Sequence, residues 1–178
     1  MTICESDMVF GEFDEADCFH IEKTTLYKRL SSDKLKSVEF VLHRPERNEL
    51  FFVEAKTTFP AFINSEVVLS AEDNVNSFST AVTAISQKFM DSLLLACSIW
   101  FGKNNAKIEI ESVIPKNKES FFTYGKQIVF VLVIKNCKTD LTTIADNIKK
   151  EIRKRYLILG FKVLVLDEDF ARKIKLVI

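Results

Sequence analysis

Residues 127–134, QIVFVLVI, are apolar at every position after the first. Alternate side chains of a strand leave opposite faces, so such a run suits a central strand covered on both sides. A chain built around it must supply layers above and below a sheet, and the flanking segments do so. A helical pattern opens at Thr139 or Asp140 (DLTTIADNIKKEIRKRYLIL) and Gly160 ends it. FKVLVLD then returns as a strand beside 127–134, giving a strand–helix–strand unit. Upstream, residues 37–43 (SVEFVLH) and 50–58 (LFFVEAKTT) read as strands joined by the polar turn RPERNE, a β-hairpin. Across residues 72–101, Val75, Phe78, Val82, Ile85, Phe89, Leu93, Ala96 and Trp100 keep a 3,4 spacing, the mark of a long helix with one buried stripe. Ser70 or Asp73 is placed to cap that helix and Gly102 to end it. Residues 18–25 alternate weakly, as a first strand could, and 107–114 alternate as a partly exposed strand. The expected fold class is α/β, a mixed sheet with flanking helices, in a single domain over 1–178.

Composition narrows the function classes. With 47% hydrophobic and 28% charged residues among 178, the chain reads as neither disordered nor membrane-spanning. The longest apolar run, 89–101, is interrupted by Asp91 and is too short to cross a bilayer. No basic and apolar leader is visible at the N-terminus, so the expected compartment is the cytoplasm, with no membrane partner. Cys4, Cys18, Cys97 and Cys137 are far apart and read as reduced, mostly buried thiols. Four glycines leave no phosphate-cradling loop, and no G-x-S-x-G serine motif is present. His20 and His43 have no zinc-type partner spacing, so surface or core roles are expected of both. Zero net charge argues against coating nucleic acid by bulk positive charge. The distribution is nonetheless uneven: residues 1–22 hold seven acids and no Lys or Arg, while 149–178 hold nine basic residues against four acids. A nucleic-acid surface and two merely solvated surfaces both account for that asymmetry.

The chemistry-bearing feature is Glu54-Ala55-Lys56. Two apart on a strand, Glu54 and Lys56 leave one face, about 6–7 Å apart along it. Phe51, Val53 and Ala55 leave the other, with Val38, Phe40 and Leu42 of the preceding strand as their core partners. Glu39 then points away from that core with Val41 and His43. A hairpin folded about RPERNE pairs positions summing to about 93, which sets Glu39 across from Glu54, with Cβ atoms roughly 5 Å apart. Facing carboxylates repel unless a cation sits between them, and a neighbouring lysine completes a set suited to metal-assisted hydrolysis. An exposed cross-strand charge ladder is the competing reading. If the pair faces itself without a cation, one carboxyl should be raised and Glu54→Gln should raise the metal-free Tm.

The segment SVEFVLHRPERNELFFVEAKTT resembles the PD-(D/E)xK nuclease superfamily: an acid on one hairpin strand, (D/E)-x-K on the next, then a helix and a further strand. The resemblance covers 18–135 in topology and 37–58 in residues. It implies a restriction-endonuclease-like core and Mg²⁺- or Mn²⁺-dependent hydrolysis of DNA. The metal would be held by Glu39, Glu54 and the Ala55 carbonyl, with Lys56 positioning the attacking water. Glu39 departs from the commoner Asp by one methylene. Many members add an acid from the element before the hairpin; Glu22 would serve if 18–25 is a paired strand, and is otherwise a surface glutamate. Gln87 and Lys88, on the following helix, are candidates for substrate contact or simply its solvated face. Lys150, Arg153 and Lys154 share a helical face within the densest basic cluster (149, 150 and 153–155), as a phosphate-following surface or a solvated one. The alternative function is a nuclease-like domain without activity that binds nucleic acid or protein. So small a domain has few elements for target recognition, which points to a homodimer or a partner protein.

Overall fold

The doubly apolar run lies inside a five-stranded sheet. The computed structural model describes residues 1–30, 35–62, 72–100, 125–154, 156 and 160–178, with backbone alone at 72–76 and Trp100. In chain order these hold β1 (Ile3–Glu5), β2 (Met8–Phe10), β3 (Cys18–Phe19), α1 (Thr25–Leu30), β4 (Phe40–Arg44) and β5 (Glu49–Thr58). There follow α2 (Glu72–Trp100), β6 (Gln127–Asn136), α3 (Leu141–Arg153), β7 (Phe161–Asp167) and α4 (Glu168–Lys173). The main sheet has the order β3-β4-β5-β6-β7. Its first three strands pair antiparallel and its last three parallel. The mixed sheet with flanking helices is thus the observed architecture. β1 and β2 form a separate two-stranded hairpin.

Both faces of the sheet are buried, and residues 129–134 are all 0% exposed. On one face Phe40, Phe51, Val53, Val129 and Val131 pack with Phe10 and Met8 of the N-terminal hairpin and with Ala171 and Leu176 near the C-terminus. On the other, Val41, Phe52, Phe130 and Leu132 pack with α2 and α3. Phe89 of α2 stacks on Phe130, ring centroids 4.9 Å apart. The face expected to point away from the core is therefore itself a core face: Val41 is 0% and His43 4% exposed. α2 buries more than one stripe, because Met90, Ser92, Leu95 and Ile99 are buried beside Phe89 and Leu93. It packs against both the sheet and α3, while Gln87 and Leu94 keep one side of it open to solvent.

Several boundaries differ from the sequence reading for local reasons. Residues 18–25 hold only the two-residue β3, followed by a 3-10 turn at Ile21–Lys23 and then α1. Buried Thr24 starts that helix, its Oγ1 accepting from the Tyr27 N–H at 3.1 Å, an N-cap that competes with extended backbone. The hairpin turn uses a 3-10 segment at Pro45–Arg47 closed by Asn48 in the left-handed region, φ 53°, which Asn tolerates. α3 opens as expected, with the Asp140 side chain accepting from the Thr143 N–H at 2.8 Å, but it ends at Arg153, well before Gly160. Only Cys18 of the four thiols is buried; Cys97 and Cys137 are half-buried and Cys4 is exposed. The strand expected at 107–114, Arg155, and Ser70 and Gly102 at the ends of α2 lie outside the described residues. Among the described residues no helix is long and apolar enough to cross a membrane.

Candidate active site

The hairpin register is the expected one. Phe40 pairs Val53 and Val41 pairs Phe52, so the sum of 93 holds as far as Phe40, and Glu39 lies just outside β4. The Glu39 N–H donates to the Val53 carbonyl at 3.0 Å. Glu54 and Lys56 share the α2 face of β5 with Phe52, yet Glu54 is 0% exposed. That excludes the exposed charge ladder. Burying a carboxylate is costly unless cations and hydrogen bonds compensate it, and two ammonium groups do so. Lys56 Nζ lies 2.9 Å from Glu54 Oε1. Lys88 Nζ donates to both Glu54 oxygens, at 2.8 and 3.0 Å, and stands 3.8 Å from Glu39 Oε1.

Glu39 is held by the chain before β4, which is bound to α2 instead of to a strand. The Lys36 N–H donates to Asp91 Oδ2 at 3.2 Å and the Val38 N–H to Ser92 Oγ at 2.8 Å. Lys88, Asp91 and Ser92 lie at i, i+3 and i+4, one face of the helix. This is why β4 begins at Phe40 and not at Ser37: the Lys36 and Val38 amides are satisfied by helix side chains. From the other side, Ser37 Oγ donates to Glu22 Oε1 at 2.9 Å. His20 Nδ1 lies 3.2 Å from the Glu39 carbonyl oxygen, which can only accept, so Nδ1 carries the proton. Strand carbonyls alternate between edges, so the Ala55 carbonyl leaves on the same edge as Val53's, past the point where β4 has left the ladder.

The electrostatics follow from this packing. Burial first, and the Glu54 charge second, push the Glu39 carboxyl up to about 7. Burial works against the Lys88 ammonium, but the charge and hydrogen bonds of Glu54, with Glu39 behind them, raise it above its ordinary value. Burial and then Lys23 hold the His20 imidazole below its ordinary value. Glu22, on the 3-10 turn and not on a strand, is occupied by Ser37, although its charge is felt at both Glu39 and Lys88.

Among the described residues no group of three or more His, Cys, Asp or Glu stands ready to hold a metal ion. The donors that do converge are the Glu39 and Glu54 carboxylates, with the Ala55 carbonyl at the same strand end, all oxygen ligands of the kind Mg²⁺ and Mn²⁺ take. A cation, the Lys88 ammonium, already lies between the two carboxylates, so the position itself favours positive charge. Glu39 and Glu54 are donors of the type a divalent ion takes, at a position that Lys88 now fills.

The structure draws Lys88 inward to the carboxylates, not outward as the solvated helix face. Gln87 is exposed, away from that contact. Lys150, Arg153 and Lys154 are exposed but are not brought to Glu54: Lys154 pairs with Glu151, and Lys150 and Lys154 border a groove with Phe62, Phe78 and Val82. His43, at the opposite end of the hairpin, is buried, donates from Nδ1 to Asp17 Oδ1 at 3.0 Å, and meets Lys126 through Nε2. Sequence reasoning missed Asp91, Ser92, Ser37 and His20 as the residues that fix Glu39. The polar trio Lys88-Asp91-Ser92 at helical spacing beside the apolar stripe was the available signal. Comparison with protein-family models, with curated proteins and with solved structures finds no match to this chain.

Proposed function

We propose that the chain is a divalent-metal-dependent phosphodiesterase acting on DNA, with a restriction-endonuclease-like core and its site at Glu39, Glu54, Ala55 and Lys56. The observation that supports this best is the fully buried Glu54 carboxylate, converging with Glu39 and Lys56 where the sheet and α2 meet. An apolar pair at these positions would hold the sheet to α2 at least as well, so the charges are a cost explained by chemistry. Glu39 and Glu54, with the Ala55 carbonyl, would hold Mg²⁺ or Mn²⁺. When bound, that ion supplies neutralisation of charge developing on the phosphate. Lys56, tied to Glu54 and with a side chain 39% exposed, reaches solvent and orients a water for attack on phosphorus. His20 and Ser92 keep Glu39 in register from either side.

One observation favours the second reading, a nuclease-like domain that binds without cutting. Glu54 is already compensated by two ammonium groups and needs no further cation to be stable. Cleavage assays with Mg²⁺ and Mn²⁺ on single- and double-stranded DNA and RNA separate the two. Divalent-dependent cleavage of DNA that Lys56→Ala loses is expected. No cleavage above the Lys56→Ala protein on any substrate removes the enzyme reading and leaves the binding module.

A further inference from the structure

Lys88 occupies the space that the proposed metal needs. Its ammonium spans both oxygens of Glu54, at 2.8 and 3.0 Å, and is 3.8 Å from the nearer oxygen of Glu39. A divalent ion bridging the same carboxylates sits about 2.1 Å from their oxygens, which would leave it in near contact with Nζ, two positive charges with no water between. Glu54 also has little capacity to share: its carboxylate accepts twice from Lys88, and Lys56 is at Oε1. The two lysines differ in origin. Lys56 projects from β5 itself, beside Glu54, whereas Lys88 reaches across from α2 on a flexible four-carbon stem. The Lys88 side chain is 24% exposed, so its head can turn to solvent without movement of the helix.

We propose that Lys88 is the resident counter-cation of the metal-free site, and that a divalent ion binds by exchange with it. The ammonium leaves Glu54 for solvent as the ion enters. This rests on the metal reading above, and it makes Lys88 a positioning residue with two opposed effects. It holds Glu54 and Glu39 in place without metal, and it weakens metal affinity, setting the concentration at which the site is loaded.

Calorimetric titration of Mn²⁺ into the full chain at pH 8 tests the exchange, using the wild type, Lys88→Gln, Lys88→Arg and Glu54→Gln. Lys88→Gln keeps a donor for Glu54 but removes the charge, and should bind Mn²⁺ about tenfold more tightly or better. Lys88→Arg keeps the charge and should bind no more tightly than the wild type, which guards against a loosened fold as the cause. In nitrogen-15 spectra of the wild-type lysine side chains, the protected Lys88 ammonium signal should disappear as Mg²⁺ is added. Equal or weaker Mn²⁺ binding by Lys88→Gln, or a Lys88 signal unchanged at saturating Mg²⁺, overturns the exchange while the metal site stands. Mn²⁺ binding that Glu54→Gln does not weaken, or no binding by any of the proteins, overturns the metal reading itself and the exchange with it.

Discussion

Over residues 50–55 the two faces of strand β5 are both closed to water, yet they are built differently. Towards the N-terminal hairpin, Phe51, Val53 and Ala55 meet Phe40, Val131 and Val133, and the cluster is apolar throughout. Towards α2, Leu50 and Phe52 continue the same kind of core, and then Glu54 and Lys56 interrupt it. Residues 53 and 54 are neighbours, each 0% exposed, and one is a valine while the other carries a compensated charge. Folding alone explains the first face. The second sets the Glu54 carboxylate against two lysines where methyl groups would do, and the proposed site rests on that surplus.

Truncating the apolar face should cost the most. Phe51→Ala should destabilise by about 3–5 kcal/mol in chemical denaturation, lowering Tm by roughly 6–20 °C, while leaving any Mn²⁺ response intact. A loss of metal response there would mean that the two faces are not separate in role. Next comes Glu54→Gln, which leaves the Lys88 and Lys56 ammoniums without their carboxylate. It should lower metal-free stability by about 2–4 kcal/mol, with Glu54→Gln/Lys88→Met recovering part of the loss. This reverses the sequence-based expectation of a raised Tm. That expectation took Glu39 and Glu54 as a bare like-charge pair, and Lys88 stands between them.

Smaller effects sharpen the comparison further. Ser92→Ala removes the acceptor for the Val38 amide and should cost about 1–2 kcal/mol, seen in the same denaturation curves. Glu39, raised from 4.5 to about 7, gives a pH signature. Between those values the folded state binds the proton more tightly than the unfolded state, so stability should fall as pH rises through 4.5 to 7. Glu39→Gln should flatten that dependence by roughly 1–2 kcal/mol across pH 4.5–8, allowing for the water that reaches the side chain. A steeper fall in the variant would contradict the assignment. At the small end, Lys162 pairs with Glu49 at 3.2 Å on a side chain 56% exposed. Lys162→Ala should change stability by less than about 0.5 kcal/mol.

The sheet was legible where a strand carries a strong pattern. QIVFVLVI could only be central, and RPERNE fixed the hairpin sum that pairs Phe40 with Val53. Hidden from period counting were the pieces held by single contacts. β1 and β2 are three residues each and cover a sheet face by Phe10 and Met8, too short for a period to register. The shift of β4 to Phe40 depends on Asp91 and Ser92, more than fifty residues downstream. Glu39, Glu54 and Lys56 could be named as one constellation from spacing alone. Lys88 could be placed on the right helix but not turned to the right face, because its direction is set by a buried carboxylate and not by amphipathicity.

On the proposed reading the charged face of β5 is a divalent-metal site organised by Glu54. Thermal melting at pH 7.5, with EDTA and with millimolar Mn²⁺, compares the wild type and Glu54→Gln. An ion that binds only the folded site stabilises it by about 2.7 kcal/mol at a hundredfold excess over Kd, or roughly 5–11 °C in Tm for a domain of this size. That rise is expected in the wild type and is expected to be lost in Glu54→Gln. Equal responses in the two proteins, or no response in the wild type, would contradict it.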